Sequence, residues 1–372
     1  MQTSVLPKRL DGIDLLRSLA IFLVLLNHVN VRLRMAKVPY LQHLPGRLGH
    51  AIAWNGQYGV QIFFALSGFL IMSTSLRRWG PPAKFHPLDF YRMRFARIVP
   101  LLLTLLAILS ALHFLQLPDF QIKPKFGGLL PPLFAALTFR INIFEAAHGY
   151  LPGNWDILWS LSVEEIFYLA FPIICLLTRR KSILTAALLL VVAQGPYVRN
   201  VYLHGDGLWR EYSYSGGMEA IALGCLTALY ARKIPAAIGY LGAAAVAFIL
   251  IFSKEVQKLG MERTGFDMTI LALGTCAVIL ATANWQAPRL LKPLLTPGRR
   301  SYEIYLTHMF VVFACFHVFL DAGKPLLAVP VFFLAVIVLS TALGEIIGRY
   351  FSEPANQRLR SRFSTPIATS AA

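Results

Sequence analysis

The sequence predicts an all-α, polytopic integral membrane protein of about ten transmembrane helices. Composition is the first ground: of 372 residues, 56% are hydrophobic and 14% charged, against roughly a quarter charged in soluble domains. The second ground is the recurrence of apolar runs long enough to cross a bilayer as helices, the form that satisfies every backbone polar group internally. The third is the placement of the cations. A net charge of +17 is compatible with a nucleic-acid binder, but most Lys and Arg lie in short connections between apolar runs. That is the imprint of membrane topology, so the bilayer, and not nucleic acid, is the expected partner.

Taken in order, the runs predict crossings at about 14–31, 59–76, 98–117, 157–177, 182–198, 216–231, 235–252, 266–283, 302–320 and 326–348. With the N-terminus in the cytoplasm, the basic connections 77–97, 179–181, 232–233 and 289–300 fall on the same side as the C-terminal tail. Both termini are therefore expected in the cytoplasm, since the opposite orientation reverses the positive-inside bias. Lys8 and Arg9 precede the first run, which lacks a small-residue cleavage exit and reads as a retained signal anchor. The stretch 127–146 is apolar but interrupted by Pro131 and Pro132, and is expected to be re-entrant or interfacial. Composition does not change regime along the chain. One transmembrane domain is expected over 1–352, followed by a short, basic, flexible tail over 353–372. Cys175, Cys225, Cys276 and Cys315 sit singly inside apolar runs, as buried thiols without metal-ligand spacing, so no metal site is expected.

Several ionisable residues break the apolar runs. Arg17 and His28 are eleven residues apart in the first run, which is about three helical turns, so they share a face at a separation of roughly 16 Å. A snorkelling cation and an interfacial imidazole would give the same pattern. Arg94 and Arg97, three apart in the basic block after the second run, also share a helix face. Paired guanidinium groups suit phosphate, although positive-inside connections are basic without binding anything. Glu164 and Glu165 are adjacent in WSLSVEEIFYL, so they point about 100° apart and cannot form a dyad on one face. One is expected to meet a cation such as Arg17 across the bundle and the other to face a polar cavity. Tyr302, Glu303 and His308 open the ninth run, and Glu219, Asp267 and Glu345 are further embedded acids. Acids at this depth mark function or structural ion pairs. Ser67, beside Gly68, reads as a packing residue. Trp54, Tyr58, Tyr150, Trp155, Trp209, Tyr212 and Tyr214 fall in the external connections, suited equally to stacking on sugars and to belting the interface.

Five blocks in this order resemble the membrane acyltransferase type 3 family of bacterial surface-polysaccharide O-acetyltransferases. They are Arg17 with His28, GVQIFFALSGFLI, FYRMRFARIVP, WSLSVEEIFYL and SYEIYLTH, spanning 11–308. The resemblance implies a ten-helix bundle in the bacterial plasma (inner) membrane. It also implies an O-acyltransferase that takes an acyl group, usually acetyl, from cytoplasmic acyl-CoA to a hydroxyl of an extracytoplasmic glycan or glycolipid. Acyl-CoA is then a donor substrate and no cofactor is permanently bound. Relatives often carry a fused hydrolase-like domain, and this chain resembles the stand-alone members. On that reading Arg94 and Arg97 meet the phosphates of coenzyme A. Arg17 orients the donor or neutralises developing charge, and His28 acts as general base or carries the acyl group itself. Glu164 or Glu165 is expected to hold the tautomer of His28, with Tyr302, Glu303 and His308 lining the same cavity. The alternatives are a proton- or solute-coupled transporter, and an acyltransferase acting on a secreted small molecule such as a macrolide.

Overall fold

A computed structural model describes residues 10–43, 46–202 and 207–363. Every regular element among them is helical. Ten main helices stand at the ten predicted positions: α1 (Asp11–Met35), α2 (Gly56–Trp79), α3 (Pro87–Phe114), α4 (Leu158–Thr178), α5 (Lys181–Tyr197), α6 (Tyr214–Leu229), α7 (Ala236–Ile251), α8 (Phe266–Ala281), α9 (Ser301–Asp321) and α10 (Val329–Ile347). Among the described residues, seven stretches are long and apolar enough to cross a membrane; they contain α1 to α5, α9 and α10. The helices α6, α7 and α8 have 16 residues each, about 24 Å of rise against a hydrocarbon core of about 30 Å. The chain is an all-α, multi-pass membrane protein.

Local chemistry sets the ends of these helices. Asp11 and Asp14 occupy the first turn of α1, and Arg32 and Arg34 the last, each matching the sign of the helix dipole. Pro87 starts α3 at a position where its missing N–H is not needed. Gly80 ends α2 with φ of 80°, a conformation that costs glycine little. Pro100 inside α3 removes one backbone bond, and the Thr104 hydroxyl donates to the carbonyl of Pro100 at 2.9 Å.

The centre of the bundle is α2. In its apolar window 72% of residues are buried, against 17% in the stretch that contains α5. α2 meets α6 backbone to backbone: a side chain on Gly68 would strike the carbonyl of Ile221, and one on Gly224 the carbonyl of Ala65. Close approach of this kind requires glycine at the crossing. α1 lies against α2 and also against the short helix Leu295–Arg299. There the Ser18 hydroxyl donates to the carbonyl of Leu294 and accepts from the N–H of Gly298.

Two stretches depart from simple crossings. Residues 127–146 fold into parts of two eight-residue helices, Leu130–Leu137 and Ile141–His148, with Phe139 at φ 55° between them. Each rises only about 12 Å, too short to cross. The basic tail, expected to be flexible from 353, is instead helical as α11 (Glu353–Phe363) and packs on α3, with the Arg92 guanidinium 5.8 Å from the ring centre of Phe363. Residues 364–372 lie outside the described residues.

Candidate functional site

A cavity of about 680 Å³ opens between α1, α2, α3, α4, α9 and α11. Arg17, Arg94, Arg97, Glu164 and Tyr302, all singled out in the sequence, line it together. The i,i+3 spacing of Arg94 and Arg97 puts both on the inner face of α3, as the period predicts. The Arg94 guanidinium stacks 3.7 Å from the ring centre of Tyr168, and its NH2 stands 3.8 Å from Glu165 Oε1. Arg97 lies 5.9 Å from the ring centre of Tyr302, whose hydroxyl donates to the carbonyl of Ile98 at 2.8 Å. Arg17 Nε donates to Ser301 Oγ at 3.0 Å.

The adjacent carboxylates do diverge. Glu164 turns into the cavity, within hydrogen-bond reach of Ser67 and Tyr168 and in the fields of Arg94 and Arg17. Glu165 is 7% exposed and faces Arg94 from outside the lining. The cation that Glu165 meets is therefore Arg94 and not Arg17. Glu303 is buried behind the wall in the field of Arg17 and does not line the cavity.

His28 is placed differently from the expectation. Neither His28 nor His308 lines the arginine cavity; the two histidines contact each other, His308 Nε2 standing 3.2 Å from His28 Nδ1, with ring centres 4.9 Å apart. Tyr305 links the two neighbourhoods: it lines the cavity, its ring centre is 5.9 Å from that of His308, and it shares a 2.7 Å hydrogen bond with Ser160.

The histidine contacts assign both tautomers. His308 Nδ1 stands 2.7 Å from the carbonyl of Tyr305 and 3.2 Å from that of Ile304. Carbonyls only accept, so this nitrogen carries the proton and His308 Nε2 is an acceptor. His28 Nδ1 then faces two acceptors, that Nε2 and the carbonyl of Val24 at 2.9 Å. It must be the donor, which leaves a lone pair on His28 Nε2. His28 is thus oriented by the Val24 carbonyl and by His308, which share its Nδ1–H, and neither Glu164 nor Glu165 does so. An imidazole held in this tautomer can accept a proton through Nε2.

The sequence reading missed four participants. Ser67, read as packing, lines the cavity and hydrogen-bonds the Tyr168 hydroxyl. Tyr168 itself follows Glu164 by one helical turn, a spacing that could have flagged it. Asn356 and Arg360 reach the cavity from α11, and Arg360 lies in the fields of Arg97 and Arg78. No short-range pattern connects residue 360 to residues 94 and 97. Four guanidinium groups sharing one cavity with carboxylate and hydroxyl groups suit a polyanion that also carries neutral polar groups. Among the described residues, no group of three or more His, Cys, Asp or Glu could hold a metal ion.

Comparison with known proteins agrees with the family resemblance. The model of an acyltransferase domain matches residues 10–345. The O-acetyltransferase OatA of Staphylococcus aureus (strain NCTC 8325 / PS 47) is 26% identical over 383 residues, covering 95% of this chain and 58% of that protein. The putative O-acetyltransferase SACOL0978 of Staphylococcus aureus (strain COL) is 24% identical over 369 residues, covering 93% of this chain and 57% of that protein. The chain thus spans somewhat over half the length of these relatives. No solved structure matches it. With the family match running from α1 into α10, on a bundle that crosses the membrane repeatedly, the chain belongs to the membrane acyltransferase type 3 family and is a multi-pass protein of the bacterial plasma membrane.

Proposed function

We propose that the chain moves an acyl group, most simply acetyl, from cytoplasmic acyl-CoA to a hydroxyl of a glycan or glycolipid on the opposite side of the membrane. The observation that carries this reading is the division of labour along α1. Arg17 lies in a cavity with Arg94, Arg97 and Arg360, while His28, three turns on, presents a free Nε2 held by His308. The names of the relatives, O-acetyltransferases, favour acetyl and an oxygen acceptor. On a reading of ten crossings with both termini in the cytoplasm, which the positive-inside bias supports, the arginine cavity opens on the side where acyl-CoA exists.

Coenzyme A carries a 3′-phosphate and a pyrophosphate, and Arg94, Arg97 and Arg360 hold these charges on this reading. Arg17, half-buried and tethered to Ser301, faces the pantetheine end and the charge that develops there. The thioester passes Tyr305 to reach His28. The acceptor hydroxyl oxygen attacks the thioester carbonyl while His28 Nε2 takes its proton. The tetrahedral intermediate collapses, the C–S bond breaks, and the imidazolium returns the proton to the departing thiolate. Transfer through an acyl-His28 intermediate uses the same lone pair in two successive substitutions.

The test is transfer of label from acetyl-CoA in membranes carrying the wild type, Arg17→Ala or His28→Ala. Full transfer by both variants would overturn the assignment.

A further inference from the structure

A second cavity, of about 510 Å³, shares no lining residue with the first. Its walls come from the first turns of α2, the helix Gly46–Ala53, the segments around Arg199 and Arg210, and the start of α8. The first cavity, by contrast, follows α2 from Val60 down to Trp79. The second therefore lies at the end of the bundle that holds the histidine pair. Gly56, the first residue of α2, abuts Asn27, the neighbour of His28: a side chain on Gly56 would stand 2.6 Å from Asn27 Cβ.

Three side chains in this cavity are buried yet incompletely bonded. Asn55, 1% exposed, donates through Nδ2 to the carbonyl of Leu250 at 2.7 Å, which leaves Oδ1 without a partner. Asp267, 0% exposed, accepts from the Tyr58 hydroxyl at 2.8 Å through Oδ2, which leaves Oδ1. Gln61, 3% exposed, has Nε2 without a partner. Buried polar atoms are bonded in folded proteins unless a ligand or water completes them. Two acceptors and one donor around one space call for groups that both give and take a hydrogen bond, and the hydroxyl is the common one.

Both arginines of the lining are already matched, and Asp267 lies in the field of one of them, Arg199. Arg210 stands 3.7 Å from Glu262, and Arg199 pairs with Glu219. Burial, and after it the neighbouring Glu262, push the Glu211 carboxyl up to about 7. A charged ligand finds little uncompensated charge here. Trp54 at the rim is 39% exposed and offers an indole beside the polar groups, the pairing of apolar surface with a few convergent polar groups that small-ligand sites use.

The geometry points to this cavity as a binding site for a neutral sugar unit, held through its hydroxyls by Asn55, Gln61 and Asp267 and covered at the rim by Trp54. On the proposed acyl transfer, which this assignment rests on, the sugar belongs to the acceptor glycan. The site holds the chain near His28 but apart from the donor.

The experiment uses the full chain in lipid nanodiscs without acyl-CoA. Maltotriose, cellotriose and chitotriose are titrated by saturation-transfer NMR, with sialyllactose as the acidic counterpart. The expected result is saturable binding of at least one neutral trisaccharide, weakened about tenfold by Gln61→Leu, as loss of one buried hydrogen bond predicts. Trp54→Ala should weaken it as well, and Arg94→Ala should leave it unchanged. Trp54 lies at the surface, so its variant keeps the test decisive if Gln61→Leu does not fold. Absence of saturable binding by every neutral sugar, preference for the acidic one, or full binding by both cavity variants would overturn the assignment. Acetyl transfer is measured separately. Transfer without sugar binding overturns this cavity assignment alone, and sugar binding without transfer overturns the acyltransferase reading alone.

Discussion

The pair α1–α9 and the pair α7–α8 are held together in opposite ways. α7 has no charged residue, and it meets α8 through small residues: a side chain on Gly242 would stand 2.6 Å from Ala277 Cβ and 2.9 Å from the carbonyl of Gly274. α1 meets α9 through polar contacts, Arg17 to Ser301 and His28 to His308. Both modes join helices in a membrane. The glycine mode does so without the cost of placing an arginine in an apolar core, about 2.5–3.5 kcal/mol on insertion scales. Helices of this bundle can thus pair without a polar seam, and the proposed acyl transfer gives the residues of the α1–α9 seam a second reason to be there.

The comparison can be broken by substitution, and the largest effect is expected at His28. His28→Ala should lower kcat by about 10²- to 10⁴-fold, the usual contribution of a general base, with thermal stability in detergent close to wild type. Retained turnover would return His28 to a structural role. Next comes His308→Leu, which removes the side-chain acceptor of the two that orient His28. It should lower kcat by about tenfold or more with the KM for acetyl-CoA unchanged, since a misoriented base affects the chemical step. His308→Gln places an amide oxygen near the position of Nε2 and should recover part of the loss. Equal losses in the two variants would refute orientation by His308. Nitrogen-15 NMR of the labelled imidazoles gives a readout independent of turnover: the Nδ1–H form of His28 in the wild type, kept by the Val24 carbonyl in His308→Leu but with its Nδ1 shift moved by loss of the second acceptor.

A smaller effect is expected on the donor wall. Arg94→Ala with Arg97→Ala should raise the KM for acetyl-CoA by about tenfold or more, as loss of charge-assisted hydrogen bonds predicts, and Arg360→Ala should act in the same direction to a lesser degree. An unchanged KM in the double variant contradicts phosphate binding there. The smallest effect on turnover belongs to the glycine seam. Gly242→Val should lower the melting temperature by several degrees, since overpacking costs about 1–3 kcal/mol, and leave kcat per folded molecule unchanged. A fall in kcat at constant stability would tie α7–α8 to the reaction.

Much of this contrast was legible in the sequence, because helical periodicity in a bilayer is strict. The ten runs and the shared faces of Arg94 with Arg97 and of Glu164 apart from Glu165 follow from 3.6 residues per turn. What periodicity does not carry is which faces meet. The contact of His308 with His28 joins residues 280 apart, and both read equally well as neighbours of a glutamate. The link between the histidine pair and the arginine cavity runs through Tyr305, which is bonded to Ser160 of a different helix. The helical tail was hidden for another reason: α11 is strongly polar and basic, and its order comes from packing on α3, not from its own composition.

That last helix has a consequence for biosynthesis. Residues that line the arginine cavity run from Arg17 to Arg360, so one wall is made after all the others. A nascent chain that has threaded α1 to α10 into the bilayer still lacks Asn356 and Arg360. On the proposed reading, the donor chamber is completed only when the segment carrying α11 leaves the ribosome and docks on α3. A polypeptide cut before α11 would, on that reading, hold its thioester substrate poorly, which couples donor capture to the docking of α11.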